Sequence, residues 1–342
     1  MKDIRIIFLI ILTCIISCSL ILFGCTTENR PEAQNVDLPP QNSEQYYANL
    51  RAYKKSPHQI AFGWYGPSVI SSLDASMQNR WTGIPDSLDI VSMWGGIPEA
   101  NSPGYKEMKF VQEVKGTKVV RVVFTDDLFF NETIKDFKSI YFDNQSKEKL
   151  KEGFDKVAKI LYDDIVAKGL DGMDFDHEPH VCGCNTWNIT KNSGDFGFFI
   201  EALGKYFGLA SGTGKMLLID GEIDQIPTTA GKHVNYAITQ SYGTTSSNIL
   251  QSRYDEISSW ATTDRYIVTE NFESLWKTGG RDFNDPVNGI VPGLYGLAYW
   301  NPKQGPKGGT GSFHMEYDYA NYPGYKFTRK MIQIMNPAPK PK

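Results

Sequence analysis

Basic runs, zinc-spaced cysteines and a glycine-rich phosphate loop are all missing from this sequence, and each absence removes a class of function. Of the 342 residues, 35 are Lys or Arg and 39 are Asp or Glu, for a formal net charge of −4, and no cluster of bases occurs. That balance gives no footing for nucleic acid as a partner. Cysteine is scarce. Cys14, Cys18 and Cys25 fall in or just after an apolar N-terminal run, leaving Cys182-Gly183-Cys184 downstream. No second ligand pair with zinc spacing accompanies that motif, so it reads as a loop, with or without a small strained disulfide, rather than a metal half-site or redox pair. His180, His233 and His314 show no metal-ligand spacing either. No metal and no cofactor are expected. Because no glycine-rich loop follows the first candidate strand, a doubly wound nucleotide-binding sheet is the weaker fold alternative.

What is present starts with an export pattern. Lys2 and Arg5 precede an apolar run from Ile6 to Phe23, closed by Leu22-Phe23-Gly24-Cys25. The order of charge, apolar stretch, small residues and cysteine is that of a signal sequence, and its end resembles a bacterial lipobox. The expectation is a signal peptide over 1–24, a lipid-anchored Cys25, and a chain held at the cell envelope as an outer-membrane lipoprotein, periplasmic or surface-exposed. An uncleaved membrane helix is the competing reading of the same run. Residues 25–57 are polar and rich in Pro, Asn, Gln and Glu, which reads as a tether. Within it, Tyr46, Tyr47, Leu50 and Tyr53 are spaced for a short capping helix.

Over residues 58–342 one rhythm repeats, a short apolar strand followed by a helix or loop. Candidate strands are Gln59–Tyr65, Ile90–Trp94, Lys118–Thr125, Leu170–Glu178, Lys215–Gly221, Tyr236–Tyr242, Tyr266–Phe272 and Gly293–Trp300. They largely lack the polar alternation of a one-sided sheet, which argues for parallel strands buried on both faces. Helices are clearest at Lys147–Lys168 and Asp195–Leu209. Eight such units predict an α/β fold, a single-domain (β/α)8 TIM barrel with its chemistry at the carboxyl ends of the strands.

The fourth strand carries the strongest signal. Read with period two, Asp174, Asp176 and Glu178 share one face, while Met173, Phe175 and His177 share the other. Alternate side chains stand roughly 6.6 Å apart. Two full charges at that distance repel by about 2.5 kcal/mol at an effective dielectric near 20, close to two pKa units. The row therefore resists complete ionisation, which suits a site that donates and accepts protons. A Ca²⁺ or Mg²⁺ site would also gather oxygen ligands, but these come from a strand rather than from a wrapping loop.

The segment Asp171-Gly172-Met173-Asp174-Phe175-Asp176-His177-Glu178 resembles the signature of glycoside hydrolase family 18, Asp-Gly-apolar-Asp-apolar-Asp-x-Glu, at every fixed position. The resemblance implies substrate-assisted retaining hydrolysis, in which the sugar's own 2-acetamido carbonyl attacks the anomeric carbon. This family is an exception to the two-carboxylate scheme of most glycosidases. By position it implies Glu178 as general acid/base, Asp176 as the residue orienting the acetamido group, and Asp174 as a deeper acid sharing a proton with Asp176. Asp171 falls at the strand's start, where its role is structural. Tyr242, ending strand six, matches the tyrosine that hydrogen-bonds the acetamido carbonyl, and Gln240 shares its face. Trp300, ending the eighth candidate strand, matches the tryptophan floor under the reactive sugar. Glu270 and Asn271 end strand seven as candidates for sugar hydroxyls. Trp64, Tyr65 and Trp94 either line the mouth or pack. His177 points outward, into the helix layer.

Between candidate strands seven and eight only Glu273 to about Pro292 intervenes, too short for the α+β insertion of many chitinases of that family. The shallower site resembles the endo-β-N-acetylglucosaminidase branch. The expected substrate is thus an N-linked glycan or other GlcNAc-containing oligosaccharide, cut between two GlcNAc units by a monomer. The alternatives are a chitinase or chito-oligosaccharide hydrolase, and a non-catalytic surface glycan-binding protein.

Overall fold

The computed structural model describes residues 42–124, 133–180 and 195–338. Cys25, Cys182 and Cys184, and with them the export signal and the Cys-Gly-Cys loop, lie outside these residues.

Helix α1 (Glu44–Lys55) leads into strands β1 (Ile60–Tyr65), β2 (Ile90–Met93), β3 (Lys118–Phe124), β4 (Gly172–His177), β5 (Met216–Gly221), β6 (Tyr236–Gln240) and β7 (Tyr266–Asn271). A small antiparallel hairpin, β8 (Phe283–Asp285) and β9 (Gly289–Val291), precedes β10 (Gly309–Phe313). Strands β1 to β7 and β10 close into one parallel barrel in the order β1-β10-β7-β6-β5-β4-β3-β2. Around it run α2 (Pro103–Glu113), α3 (Lys147–Ala167), α4 (Asp195–Leu203), α5 (Ser247–Ile257), α6 (Gly293–Tyr299) and α7 (Lys326–Met335). The (β/α)8 architecture predicted from the strand rhythm is present.

Helix α3 shows how local sequence sets these elements. Ser146 caps it by accepting from the Lys149 N–H at 3.2 Å, and Glu148 places negative charge in the first turn. Leu150, Phe154, Val157, Leu161 and Ile165 then recur at three- and four-residue spacing and are buried. Helix α1 forms inside the stretch read as tether. It buries Tyr47 and Leu50, and Arg51 and Lys54 bond the backbone oxygens of Val114 and Leu88. The compact unit therefore begins at Gln45.

Two apolar cores result. The outer one, between strands and helices, takes Met173 and Phe175 from β4. The inner one fills the barrel with Phe62, Trp64, Ile90, Val120, Val122, Leu218, Ile238 and Ile267. Like other barrels of this type it is a packed interior and not a pore.

One strand is not where the apolar rhythm puts it. Gly293–Trp300 is not the eighth barrel strand; its first seven residues are helix α6, with Leu294, Leu297 and Ala298 buried at helical spacing. The eighth barrel strand is β10, Gly309-Thr310-Gly311-Ser312-Phe313, whose two glycines break any apolar run and carry little strand propensity. Close approach dictates that composition. A Cβ at Gly309 or Gly311 would collide with the carbonyl oxygens of Ile60 and Phe62 on β1.

The joint between α6 and β10 is held by Lys307, which is buried. Its ammonium donates to Gln59 Oε1 at 3.0 Å, Ala298 O at 2.9 Å and Trp300 O at 2.6 Å. Lys307→Met should leave these buried acceptors unsatisfied and destabilise the fold by roughly 3 kcal/mol. Chemical denaturation reads this directly, and an unchanged midpoint would show that water or neighbouring donors replace the ammonium.

Candidate active site

At the carboxyl end of the barrel a cavity of about 290 Å³ opens above the β4 acids. Asp176, Glu178, Asp220, Gln240 and Tyr242 supply its polar wall. Trp64, Trp94, Val122, Phe124 and Phe313 supply the apolar one.

Strand β4 delivers its side chains as its period requires. Asp174 points inward and is fully buried. Its Oδ2 accepts from Trp64 Nε1 at 2.9 Å and from Ser92 Oγ at 2.7 Å, two donors that favour the anion. Asp176 lies one step higher, and Glu178 follows the strand at the cavity wall. The turn carrying Glu178 is tied to β5. Glu222 accepts the His180 N–H at 2.8 Å and also pairs with the His180 ring, while the Glu222 N–H donates to His177 O at 2.8 Å. On the outer face, His177 stacks on Phe196 of α4 at 4.2 Å. Burial pulls its pKa down to about 3, which favours the neutral ring. Asp171 is structural, bonding the Val119 N–H and Gln112 Nε2 at the strand's start.

A fourth acid joins the row. Asp220 of β5 stands opposite Asp176 in the strand register and is buried. Burial raises its pKa well above the carboxylate range, and the Asp174 and Asp176 charges raise it further. Burial likewise raises Asp176 well above that range, with the charges of Glu178 and Asp174 adding to it. Asp174 is raised by burial too, against the bonds from Asp220, Ser92 and Trp64. Tyr242 is held protonated, first by burial and then by the surrounding acids, and so remains a donor. Among the described residues, no group of three or more His, Cys, Asp or Glu is arranged to hold a metal ion.

A family model described as glycoside hydrolase family 18, BT1044-like, matches residues 27–334. The chain belongs to glycoside hydrolase family 18. It is a glycoside hydrolase. Endo-beta-N-acetylglucosaminidase F2 of Elizabethkingia meningoseptica is 30% identical over 312 residues, covering 85% of each chain. A solved structure of a selenomethionine BT1044 variant is 28% identical with a TM-score of 0.73, covering 86% of this chain and 93% of that one. The fold is also that of an endo-beta-N-acetylglucosaminidase from Cordyceps militaris, 22% identical with a TM-score of 0.60, over 87% of this chain and 97% of the other.

The other residues proposed from the family-18 pattern divide clearly. Gln240 and Trp94 line the cavity with Tyr242. The Gln240 amide is engaged, donating to Asp220 Oδ1 at 2.9 Å. Trp94 is braced edge-on by His314 at 4.7 Å, itself bonded to Glu316. Trp300 does not form the floor. It ends α6, is buried, and meets Tyr266 at the first residue of β7, the opposite end of the barrel. Phe313 ends the true eighth strand instead, stacked on Tyr242 at 6.2 Å and 22°. Glu270 and Asn271 also turn away from the cavity. Glu270 accepts the backbone N–H groups of Gly243 and Asn271, and Asn271 caps the next helical turn by accepting from Glu273. Glu270 therefore anchors the residue after Tyr242 rather than sugar. Tyr65 packs under Trp81.

Sequence reasoning misses Asp220 and Phe313. Asp220 is readable as an acid near the carboxyl end of a correctly placed strand. Phe313 carries no local signal, because its strand does not look like one.

Proposed function

We propose that this hydrolase is an endo-β-N-acetylglucosaminidase that cuts the β-1,4 bond between the two GlcNAc units of an N-glycan core, with retention and with the substrate's acetamido group as nucleophile. The observation that carries the reading is convergence. Asp176, Glu178 and a protonated Tyr242 meet on one cavity whose remaining lining is largely aromatic. Aromatic faces pack against the apolar faces of sugar rings. A sugar seated on Phe313 and Trp94 presents its 2-acetamido group to Asp176 and Tyr242. Tyr242 donates to the acetamido oxygen, and Asp176 accepts the amide N–H and stabilises the positive charge as that oxygen closes on the anomeric carbon. Glu178 protonates the leaving glycosidic oxygen, then takes a proton from the water that opens the oxazolinium ring.

The glycan-core assignment rests on the similarity to endo-beta-N-acetylglucosaminidase F2 and on what flanks the site. Between β7 and β10 the chain holds a four-residue helix (Phe272–Leu275), one hairpin of three-residue strands and helix α6, with no further sheet to deepen a groove. Incubation with a panel of glycoproteins, read by mass, should release free glycan and leave a single GlcNAc on each protein. Cleavage confined to chitin oligomers would replace this assignment with a chitinase.

A further inference from the structure

Two buried carboxyl groups, Asp174 and Asp220, and a half-buried third, Asp176, pose a question that the β4 signature does not answer, namely which of them carries the proton. Asp220 is buried level with Asp176 on the neighbouring strand, within reach of the charges of both Asp174 and Asp176. Ionised carboxylates only accept and repel one another, so three of them gathered with so little solvent favour holding a proton among them. No other described residue supplies it. Asp174 Oδ1 and Asp220 Oδ2 are shut off from solvent, and no N–H or O–H elsewhere among the described residues donates to either. Left bare, each would be a costly buried acceptor.

The surroundings break the tie. Asp174 takes two donors on one oxygen, the Trp64 indole and the Ser92 hydroxyl, and both favour its anion. Asp220 receives only the neutral Gln240 amide, on Oδ1, which leaves Oδ2 to bear hydrogen. The titratable groups around it are Asp174, Asp176 and Glu178 on the β4 side and Tyr242 beyond β6, and the charges acting on it are those of Asp174 and Asp176. Both are negative, so both favour a neutral Asp220.

We infer that Asp220 is a positioning residue that stays protonated through the reaction and donates its single Oδ2 proton into the Asp174–Asp176 pair, fixing where the Asp176 carboxylate points and what charge it bears. It is not consumed in any step and touches no reacting atom in the scheme above. The inference deepens the proposed function and rests on it only for the catalytic arm of its test.

Asp220→Asn and Asp220→Leu separate the possibilities. Asparagine keeps the Gln240 bond through its oxygen and presents N–H where the O–H stood. Leucine keeps bulk and offers no donor. Glycan release by Asp220→Asn should stay within about tenfold of the parent kcat, with the acid limb of its pH profile in place. Asp220→Leu should lose about 10²-fold in kcat, the usual effect of deleting one preorganised donor, with KM little changed. Were Asp220 ionised instead, Asp220→Asn would remove a charge beside Asp176 and move the acid limb down by about a pH unit or more. Thermal melts confirm that both variants fold. The second readout needs no substrate. The free protein at neutral pH should show a protonated-carboxyl stretch in the infrared that disappears in Asp220→Asn and survives in Tyr242→Phe. Persistence of that band in Asp220→Asn, parental turnover by Asp220→Leu, or equal loss in both variants overturns the inference. If the parent releases no glycan from any glycoprotein, the proposed function fails by itself and the infrared band still decides the proton.

Discussion

Glu178→Gln should lower kcat for glycan release by a factor of about 10²–10⁴, the usual share of general acid–base catalysis, while binding of the glycan persists. The substitution keeps shape and removes only the transferable proton. Glu178 stands at the cavity wall just past β4, on a turn pinned to β5 through Glu222 and His180. An isosteric amide there should leave the turn and the aromatic wall in place. Binding is then measurable by calorimetry with the intact substrate, because turnover no longer consumes it. Parental turnover in this variant would falsify the assignment of Glu178 and, with it, the protonation step.

Asp176→Asn should cost about 10²–10³-fold in kcat, as expected when a preorganised group facing developing charge is removed. It should also make the protein more stable at neutral pH. Asp176 has a folded-state pKa well above its ordinary value, from burial first and then from Glu178 and Asp174. For an acid raised in this way the native state binds more protons than the unfolded chain between about pH 4 and the raised value. Stability therefore falls as pH climbs through that window, and above it the full cost of the buried charge is present. Asparagine removes that titration. A gain of about 1 kcal/mol, or roughly 2–4 °C in Tm for a chain of this size, should show at pH 7 and shrink towards pH 4. A variant that melts lower at every pH would mean that the Asp176 carboxylate contributes packing or bonding that the asparagine does not replace. Activity lost and stability gained together mark a group kept for chemistry rather than for folding.

Much of the catalytic strand is legible in the sequence. Alternation is local, so Asp174 and Asp176 inward, with Met173, Phe175 and His177 outward, follows from the period of an extended chain. The first seven strands are legible for the same reason, each being an apolar run bounded by turns. The eighth is not. The apolar residues of Gly293–Trp300 suit a helix face, while β10 holds two glycines because β1 passes too close there for any side chain. That single error carries Trp300 to the wrong end of the barrel.

Sequence alone thus determined the acid row, its spacing, its face, and the barrel that goes with seven apolar strands, since each depends on residues close together in the chain. Tertiary structure decided the rest: that Asp220 lies level with Asp176, that Phe313 rather than Trp300 meets Tyr242, and that Glu270 turns away from the cavity to hold Gly243. These depend on register between strands and on which segment closes the barrel, contacts made across tens to hundreds of residues. No window of sequence contains them.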